Sequence, residues 1–234
     1  MPVFRCVPAR WESGVWTGSS KIALGYSLLL TLHILLLVYW LGADVAVFIA
    51  SFMLRDQSKP VERRLALVPL LLLVDMFPRM TLIAMVPVGL ALAWAGGWAP
   101  IPGWLVGITV PVAVVWLAAI MRQFRGSVPA IRNADMVGRA LLLLTAFGLA
   151  GSSLAGAGPF PVWLGVKVGL FGVILGAGLA IRLIPFSQAL RELGKGSTPE
   201  REDAYGRVQR QALAPVLTIW GCLVLMTYIS VAKP

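Results

Sequence analysis

Hydrophobic residues in this chain form six long runs separated by short polar segments. Their boundaries are about residues 22–54, 65–95, 103–121, 140–157, 162–183 and 211–231. A helix needs about 20 apolar residues to cross the roughly 30 Å hydrocarbon core of a bilayer. The pattern therefore predicts an all-α polytopic transmembrane helix bundle of six spans, a single integral-membrane domain over residues 1–234.

The fourth run is the weakest of the six predictions. It ends in a glycine- and serine-rich stretch, residues 151–159, which is typical of a frayed helix end or a re-entrant turn. Five spans are therefore the alternative.

Composition agrees with a membrane protein, because 59% of the residues are hydrophobic and only 13% are charged. Soluble proteins have about a quarter of their residues charged. Cys6 and Cys222 are the only cysteines, so a disulfide-stabilised secreted scaffold is excluded. The net charge of +10 lies in loops rather than on a soluble domain, which argues against nucleic acid as a partner.

Lysine and arginine alternate between the loops, and this predicts an orientation. The loops after the first, third and fifth runs hold 14 of them, whereas the loops after the second and fourth hold none. Cytoplasmic loops retain basic residues, so both termini are predicted on the outer, periplasmic side of a bacterial cytoplasmic membrane. Arg5, Arg10, Lys21 and Lys233 count against this orientation. An aromatic belt is then expected at the outer interface, formed by Trp94, Trp98, Trp104, Phe160, Trp163 and Tyr228.

The longest polar segment, residues 185–210, precedes the last run. It contains Thr198 followed by Pro199, an N-cap residue followed by a proline suited to the first helical position. We therefore expect a cytoplasmic helix that leads into the last span.

Five ionisable residues lie within the apolar runs, namely His33, Asp44, Asp75, Arg79 and Lys167. Each charged side chain in a span costs about 2.5–3.5 kcal/mol on insertion scales, so each is expected to have a partner or a function. The i,i+4 spacing of Asp75 and Arg79 predicts an ion pair on one helix face. Pro78, between them, frees the carbonyl of Val74 and predicts a bend there.

Asp44 and Asp75 each lie ten or so residues from the loop that joins the first two runs, and therefore about 15 Å deep. Asp44, Asp75 and Arg79 are thus predicted to form one buried charge cluster. One interpretation is a structural clamp between two helices, and the other is a proton or ligand site.

His33, the only histidine, shares one helical stripe with Trp40 and Asp44. Its imidazole is either satisfied by a neighbouring helix or acts as a ligand. Lys167 is expected in the same outer half of the membrane, where it either extends to the interface or approaches His33.

Small and sulfur-containing residues suggest further alternatives. Gly165, Gly169, Gly172 and Gly176 form two G-x-x-x-G spacings, which are typical of helix packing, or they could lie against a flat cofactor. Met76, Met80 and Met85 are soft enough for Cu(I), although methionine in membrane helices is mostly a packing residue.

The string Leu32-His33, followed by Trp40-Leu41-Gly42, resembles the first helix of the copper-resistance protein D superfamily. That superfamily looks related to the membrane-bound, haem-b-associated protoporphyrinogen oxidases. Trp163-x3-Lys167, in a helix that ends at Arg182, is similar to a later helix of those oxidases. The resemblance covers about a quarter of the chain, and these oxidases generally have four spans rather than six.

The resemblance implies cofactor binding at His33, Lys167 and Trp40. His33 would be the axial ligand of haem b, or alternatively a copper ligand, and Lys167 would lie near the porphyrin or its carboxylates. The first functional hypothesis is therefore a haem- or copper-associated redox protein, with enzymatic activity left open.

Two other hypotheses follow from the residues themselves. One is a transporter of copper or another small solute that uses Asp44, Asp75 and Arg79. The other is a non-catalytic subunit of a larger membrane complex, consistent with the short loops and glycine faces.

Overall fold

The computed structural model describes residues 19–232, with side chains from residue 24. Arg5, Cys6, Arg10 and Lys233 lie outside the described residues, as does the side chain of Lys21. Within the described range the chain forms nine α-helices and no strand, which confirms the predicted all-α class. The helices are α1 (Ser19–Met53), α2 (Val61–Leu65), α3 (Val68–Val74), α4 (Met76–Ala95), α5 (Gly103–Arg125), α6 (Pro129–Leu154), α7 (Val162–Leu183), α8 (Phe186–Leu193) and α9 (Pro199–Ala232).

Six segments of the described chain are long and apolar enough to cross a membrane, which favours six spans over five. They are α1, α2 to α4 together, α5, α6, α7 with the short α8 after it, and α9. Many large apolar side chains, such as Leu28, Val115, Leu144 and Val224, are exposed on the outside of the bundle. Such a surface is stable against lipid rather than water, so the protein is an integral membrane protein.

The fourth span begins earlier than the sequence suggested. Helix α6 starts at Pro129, not near residue 140, and continues regularly to Leu154 before a turn in which Gly156 has a φ of 73°. The first turns of α6 contain polar residues, and for this reason the hydropathy pattern left them out of the predicted span. Asp135 and Arg139 are nevertheless buried, because they pair with each other. Arg139 is therefore a residue of the helix and not of a loop.

The second span is interrupted twice, once between α2 and α3 and once between α3 and α4. The interruption between α3 and α4 lies beside the predicted bend. Helix α3 ends at Val74, Asp75 occupies the junction, and α4 begins at Met76. Pro78 lacks an N–H group and so cannot bond the carbonyl of Val74, which accounts for a break at this position. A further proline, Pro87, lies inside α4.

The last span continues a polar helix, as predicted. The backbone N–H of Arg201 donates to Thr198 Oγ1 at 3.4 Å, and α9 begins at Pro199. With 34 residues, α9 is about 51 Å long and exceeds the hydrocarbon thickness by about 20 Å.

The six spans form a ring in chain order. Extensive contacts join α1 to α4, α4 to α5, α6 to α7 and α7 to α9. The two remaining neighbours, α5 with α6 and α1 with α9, touch less. The ring therefore consists of two three-helix halves joined at two looser seams.

The bundle has two chemically different ends. We call the end that holds Arg55, Arg125 and Arg182 the basic end, and the opposite end, where Trp98 contacts Trp163 at 5.3 Å between ring centroids, the tryptophan end. One apolar core, including Trp40, Ile83 and Ile174, fills the middle of the ring. A second core lies at the basic end, where α8 and the start of α9 pack against the end of α1 and α3; it includes Leu54, Leu71, Leu193 and Tyr205.

Candidate functional site

His33 lies on α1 inside the half of the bundle near the tryptophan end. Its side chain is half-buried, and Nδ1 is fully buried without a hydrogen-bond partner. Cε1 of the imidazole lies 3.8 Å from the position that a methyl group on Gly89 of α4 would occupy. The expectation that a hydroxyl or carbonyl of a neighbouring helix satisfies the imidazole therefore does not hold for this nitrogen.

Lys167 of α7 approaches His33, as one of the two sequence interpretations predicts. The two side chains interact electrostatically. The ammonium group donates a hydrogen bond to Ser230 Oγ on α9 at 2.7 Å, and this hydroxyl in turn donates to the carbonyl of Met226 at 2.7 Å. The ammonium group of Lys167 thus bonds to α9 near the tryptophan end, two residues before that helix ends at Ala232. We call His33 and Lys167 the His–Lys site.

Trp40 separates the His–Lys site from the charges nearer the basic end. Its side chain is 3% exposed and belongs to the central apolar core. About one turn beyond it along α1, Asp44 lies close to the indoles of Trp40 and Trp220. Nε1 of Trp220 is buried but makes no hydrogen bond in acceptable geometry. Asp44 is therefore near polar groups that do not neutralise its charge.

The predicted pair of Asp75 and Arg79 is present, because the guanidinium group donates from Nη2 to Asp75 Oδ2. Asp44 interacts electrostatically with Asp75, so the structure brings the two carboxylates near each other. Within residues 24–232, however, Asp44 forms no ion pair with Arg79 or any other cation. The predicted buried three-residue cluster is thus a partly exposed ion pair, with side chains 28% exposed at Asp75 and 41% at Arg79, and a second carboxylate beside it.

A second buried charge cluster was missed by the sequence reasoning. Asp135 Oδ1 accepts hydrogen bonds from Trp116 Nε1 at 2.8 Å and from Arg139 Nε at 2.9 Å, and Oδ2 accepts one from Arg182 Nη1. These residues belong to α5, α6 and α7. The i,i+4 spacing of Asp135 and Arg139 was a usable signal, but both had been assigned to a loop. We call Trp116, Asp135, Arg139 and Arg182 the arginine cluster.

The two charge clusters are neighbours. Arg79 interacts electrostatically with Arg139 and with Arg182. Charged side chains of α1, α4, α6 and α7 therefore form one band across the ring, between the central core and the basic end.

A third group of polar side chains, at the basic end, joins α2 to the start of α9. The sequence patterns did not predict it either. Arg64 donates to both carboxylate oxygens of Glu202, at 2.5 and 3.0 Å, and to the carbonyl of Leu54 at 2.8 Å. Nearby, Tyr205 Oη donates to the carbonyl of Ser51 at 3.0 Å. Arg64 and Glu202 are 138 residues apart, so no local spacing could have predicted the contact.

The glycines of α7 form a packing face. A methyl group at Gly165 would lie 2.7 Å from Ser153 Cβ of α6, and one at Gly169 would lie 3.2 Å from Ala150 Cβ. At Gly172 and Gly176 the nearest side chains also belong to α6. This face is filled by a neighbouring helix, which supports the helix-packing alternative.

The methionines and acidic residues give little support for a metal held by protein side chains alone. Met76 is buried in the central core and Met85 packs against it. Among the described residues, no three His, Cys, Asp or Glu side chains are grouped closely enough to hold a metal ion.

The surface of the bundle has two shallow apolar grooves away from these sites. One lies along the end of α1, at Phe48, Phe52 and Asp56, and the other lies between α6 and α7. Neither is lined by His33 or Lys167.

Comparison with known proteins gives no match, whether with family models, curated proteins or solved structures.

Proposed function

We propose that this integral membrane protein is a redox protein that binds haem b at His33. The observation that supports the proposal is the buried Nδ1 of His33, which has no hydrogen-bond partner inside the bundle. A buried polar atom without a partner costs free energy, so a functional reason for keeping it is expected. A metal–nitrogen bond is one such reason, since imidazole is a common axial ligand of haem.

The number of His, Cys, Asp and Glu ligands available favours haem over a bare copper ion. An ion bound by protein side chains alone needs about three or four ligands, and no group of three His, Cys, Asp or Glu occurs among the described residues. A porphyrin supplies four nitrogen ligands itself and asks the protein for one or two. His33 is sufficient for that role.

Lys167 would complement the cofactor electrostatically. Its ammonium group lies near His33 and is oriented by Ser230. A cation in a membrane interior favours a nearby carboxylate, and the porphyrin of haem b carries two. The buried indole of Trp40 would separate this site from the charged band. When bound, haem would supply one-electron chemistry, and the helices around it would set its potential by burial and nearby charge.

The orientation of the protein is part of the same proposal. The basic end carries the three arginine-rich loops and would face the cytoplasm, which places both termini and the His–Lys site on the periplasmic side of a bacterial membrane. The exposed side chains of Trp94, Trp104 and Tyr228 at the opposite end are consistent with an interfacial aromatic belt.

The first test is the absorption spectrum of the purified full-length protein, together with metal analysis. We expect a Soret band and about one iron per chain, and we expect His33→Ala to lose both, since the chain has no second histidine. Thr31→Ala, an exposed position two residues away on the same helix, serves as the control and should keep the band. A colourless, metal-free wild-type protein would contradict the proposal.

A transporter of copper or another small solute is the second candidate function. It is favoured by the band of charged side chains within the membrane spans, which includes Asp44, Asp75 and Arg79 and lies next to an interrupted helix. Broken helices with charged groups near them are a recurring feature of transport sites. The looser seams between the two halves are where relative movement would occur.

Copper(I) uptake into liposomes tests this candidate. We expect Asp75→Asn to reduce the uptake rate by about tenfold or more, because it removes the charge that pairs with Arg79 inside the bundle. Asp203→Asn, which alters an exposed carboxylate near the basic end, should leave the rate unchanged. Equal uptake by the wild type and Asp75→Asn would remove the charged band from the mechanism.

A further inference from the structure

We propose that Arg139 and Arg182 form a binding site for an anionic phosphate or carboxylate group at the inner edge of the basic end. This site is separate from His33 and does not depend on a cofactor there. It is carried by the hydrogen bonds, burial and charge of the arginine cluster.

The cluster holds more positive than negative charge. Asp135 is the carboxylate that bonds to both arginines, so one negative charge faces two positive charges. Arg79 lies close enough to interact with both guanidinium groups, but its own partner is Asp75. A second anion beside Arg139 and Arg182 would balance the local charge.

One guanidinium donor of the cluster is unused. Arg139 is 5% exposed at its side chain and donates to Asp135 through Nε, but its Nη2 is buried and has no hydrogen-bond partner. A buried charged donor without an acceptor is costly, more so than a neutral one. Asp135 accepts hydrogen bonds from Trp116, from Arg139 Nε and from Arg182, but Arg139 Nη2 makes no hydrogen bond to it.

The exposure of the arginines gives the site an open side. The exposed fraction of the side chain rises from 5% at Arg139 to 18% at Arg182 and 41% at Arg79. Arg182 and Arg79 therefore present part of their surface outside the protein, whereas Arg139 does not. Such a graded series of positive charge also attracts anions over a longer range.

The chemistry of guanidinium favours phosphate and carboxylate groups. Its planar fork donates two parallel hydrogen bonds to two oxygens of one anion, and these bonds are about twice as strong as neutral ones. The phosphate group could belong to a lipid headgroup or to a free solute, since the last turn of α7, which holds Arg182, is where the span meets the basic end. The test therefore uses one probe for each source.

The experiment measures thermal unfolding of the full-length protein by tryptophan fluorescence. The first arm compares inorganic phosphate with sodium chloride at equal ionic strength, in a neutral detergent. The second arm compares nanodiscs of phosphatidylcholine with nanodiscs of an equal mixture of phosphatidylcholine and phosphatidylglycerol. A ligand at ten times its dissociation constant should raise the unfolding midpoint by about 4 °C.

Arg139→Lys is the critical variant, because lysine keeps the positive charge beside Asp135 but lacks the planar guanidinium fork that donates to two oxygens of one anion. We expect it to fold and to lose the increase in midpoint. Arg132→Lys, the same substitution at an exposed position of α6, is the matched control and should keep the increase. Arg182→Lys is a second variant of the site and should also reduce the increase.

The two arms separate the sources of the anion. An increase with inorganic phosphate in detergent supports a free solute, and an increase only with phosphatidylglycerol supports a lipid headgroup. The proposal is overturned if neither probe raises the midpoint of the wild type. It is overturned equally if Arg139→Lys responds as strongly as Arg132→Lys.

Discussion

Glu202→Ala is expected to lower the free energy of unfolding by about 3 kcal/mol, because it leaves the buried guanidinium group of Arg64 without its carboxylate. Both side chains are at most 5% exposed, and Ser197 also donates to the carboxylate at 2.6 Å. The unfolding midpoint, followed by tryptophan fluorescence in detergent, should fall by about 8 °C.

Two companion variants identify the cause of this loss. Glu192→Gln breaks an ion pair with Lys195 that is exposed to solvent, and it should leave the midpoint unchanged. The double variant Arg64→Met/Glu202→Leu removes both charges and should recover most of the stability, because apolar residues of similar volume often replace buried ion pairs at little cost. If the double variant were no more stable than Glu202→Ala, uncompensated charge would not be the reason.

Gly165→Leu is expected to destabilise the bundle by about 3 kcal/mol, since the contact of α7 with α6 has no room for a side chain. Even a methyl group would lie 2.7 Å from Ser153 Cβ, which is attached directly to the α6 backbone and cannot rotate away. The helices would have to separate along the most extensive contact of the ring.

Gly178→Leu provides the control for this substitution. Gly178 lies in the same helix, but no heavy atom is within 4 Å of the position of its added Cβ. The larger side chain should therefore be accepted with little change in the unfolding midpoint. Leucine has a higher helix propensity than glycine, so neither variant should lose stability through propensity. Equal losses for the two leucine variants would show that packing against α6 is not the cause.

The bundle could be predicted from the sequence because its main determinant is local. Long apolar runs identify membrane spans regardless of how the helices pack. The boundaries of α7 at Val162 and Leu183 match the predicted run. The predicted start of α6 was wrong because a hydropathy pattern treats Asp135 and Arg139 as solvent-exposed. In the structure these two side chains are buried and form an ion pair with each other.

The contacts inside the bundle could be predicted only where they follow from spacing along one helix or from depth in the membrane. The pair of Asp75 and Arg79 follows from an i,i+4 spacing, and the approach of His33 to Lys167 follows from equal depth in the membrane. The bond from Arg182 to Asp135 depends on how two helices pack, and no periodicity in the sequence reports that arrangement. Pairs of this kind need a three-dimensional structure.

The distance along the chain between Arg64 and Glu202 has a consequence for biosynthesis. Their 138-residue separation corresponds to about 7 to 28 s of translation at 5–20 residues per second. During that interval the guanidinium group of Arg64, which is buried in the folded protein, has no carboxylate with which to pair. The nascent protein therefore reaches its final form only after the last helix emerges from the ribosome. A chain terminated before Glu202 would leave the guanidinium group of Arg64 without the carboxylate that neutralises it.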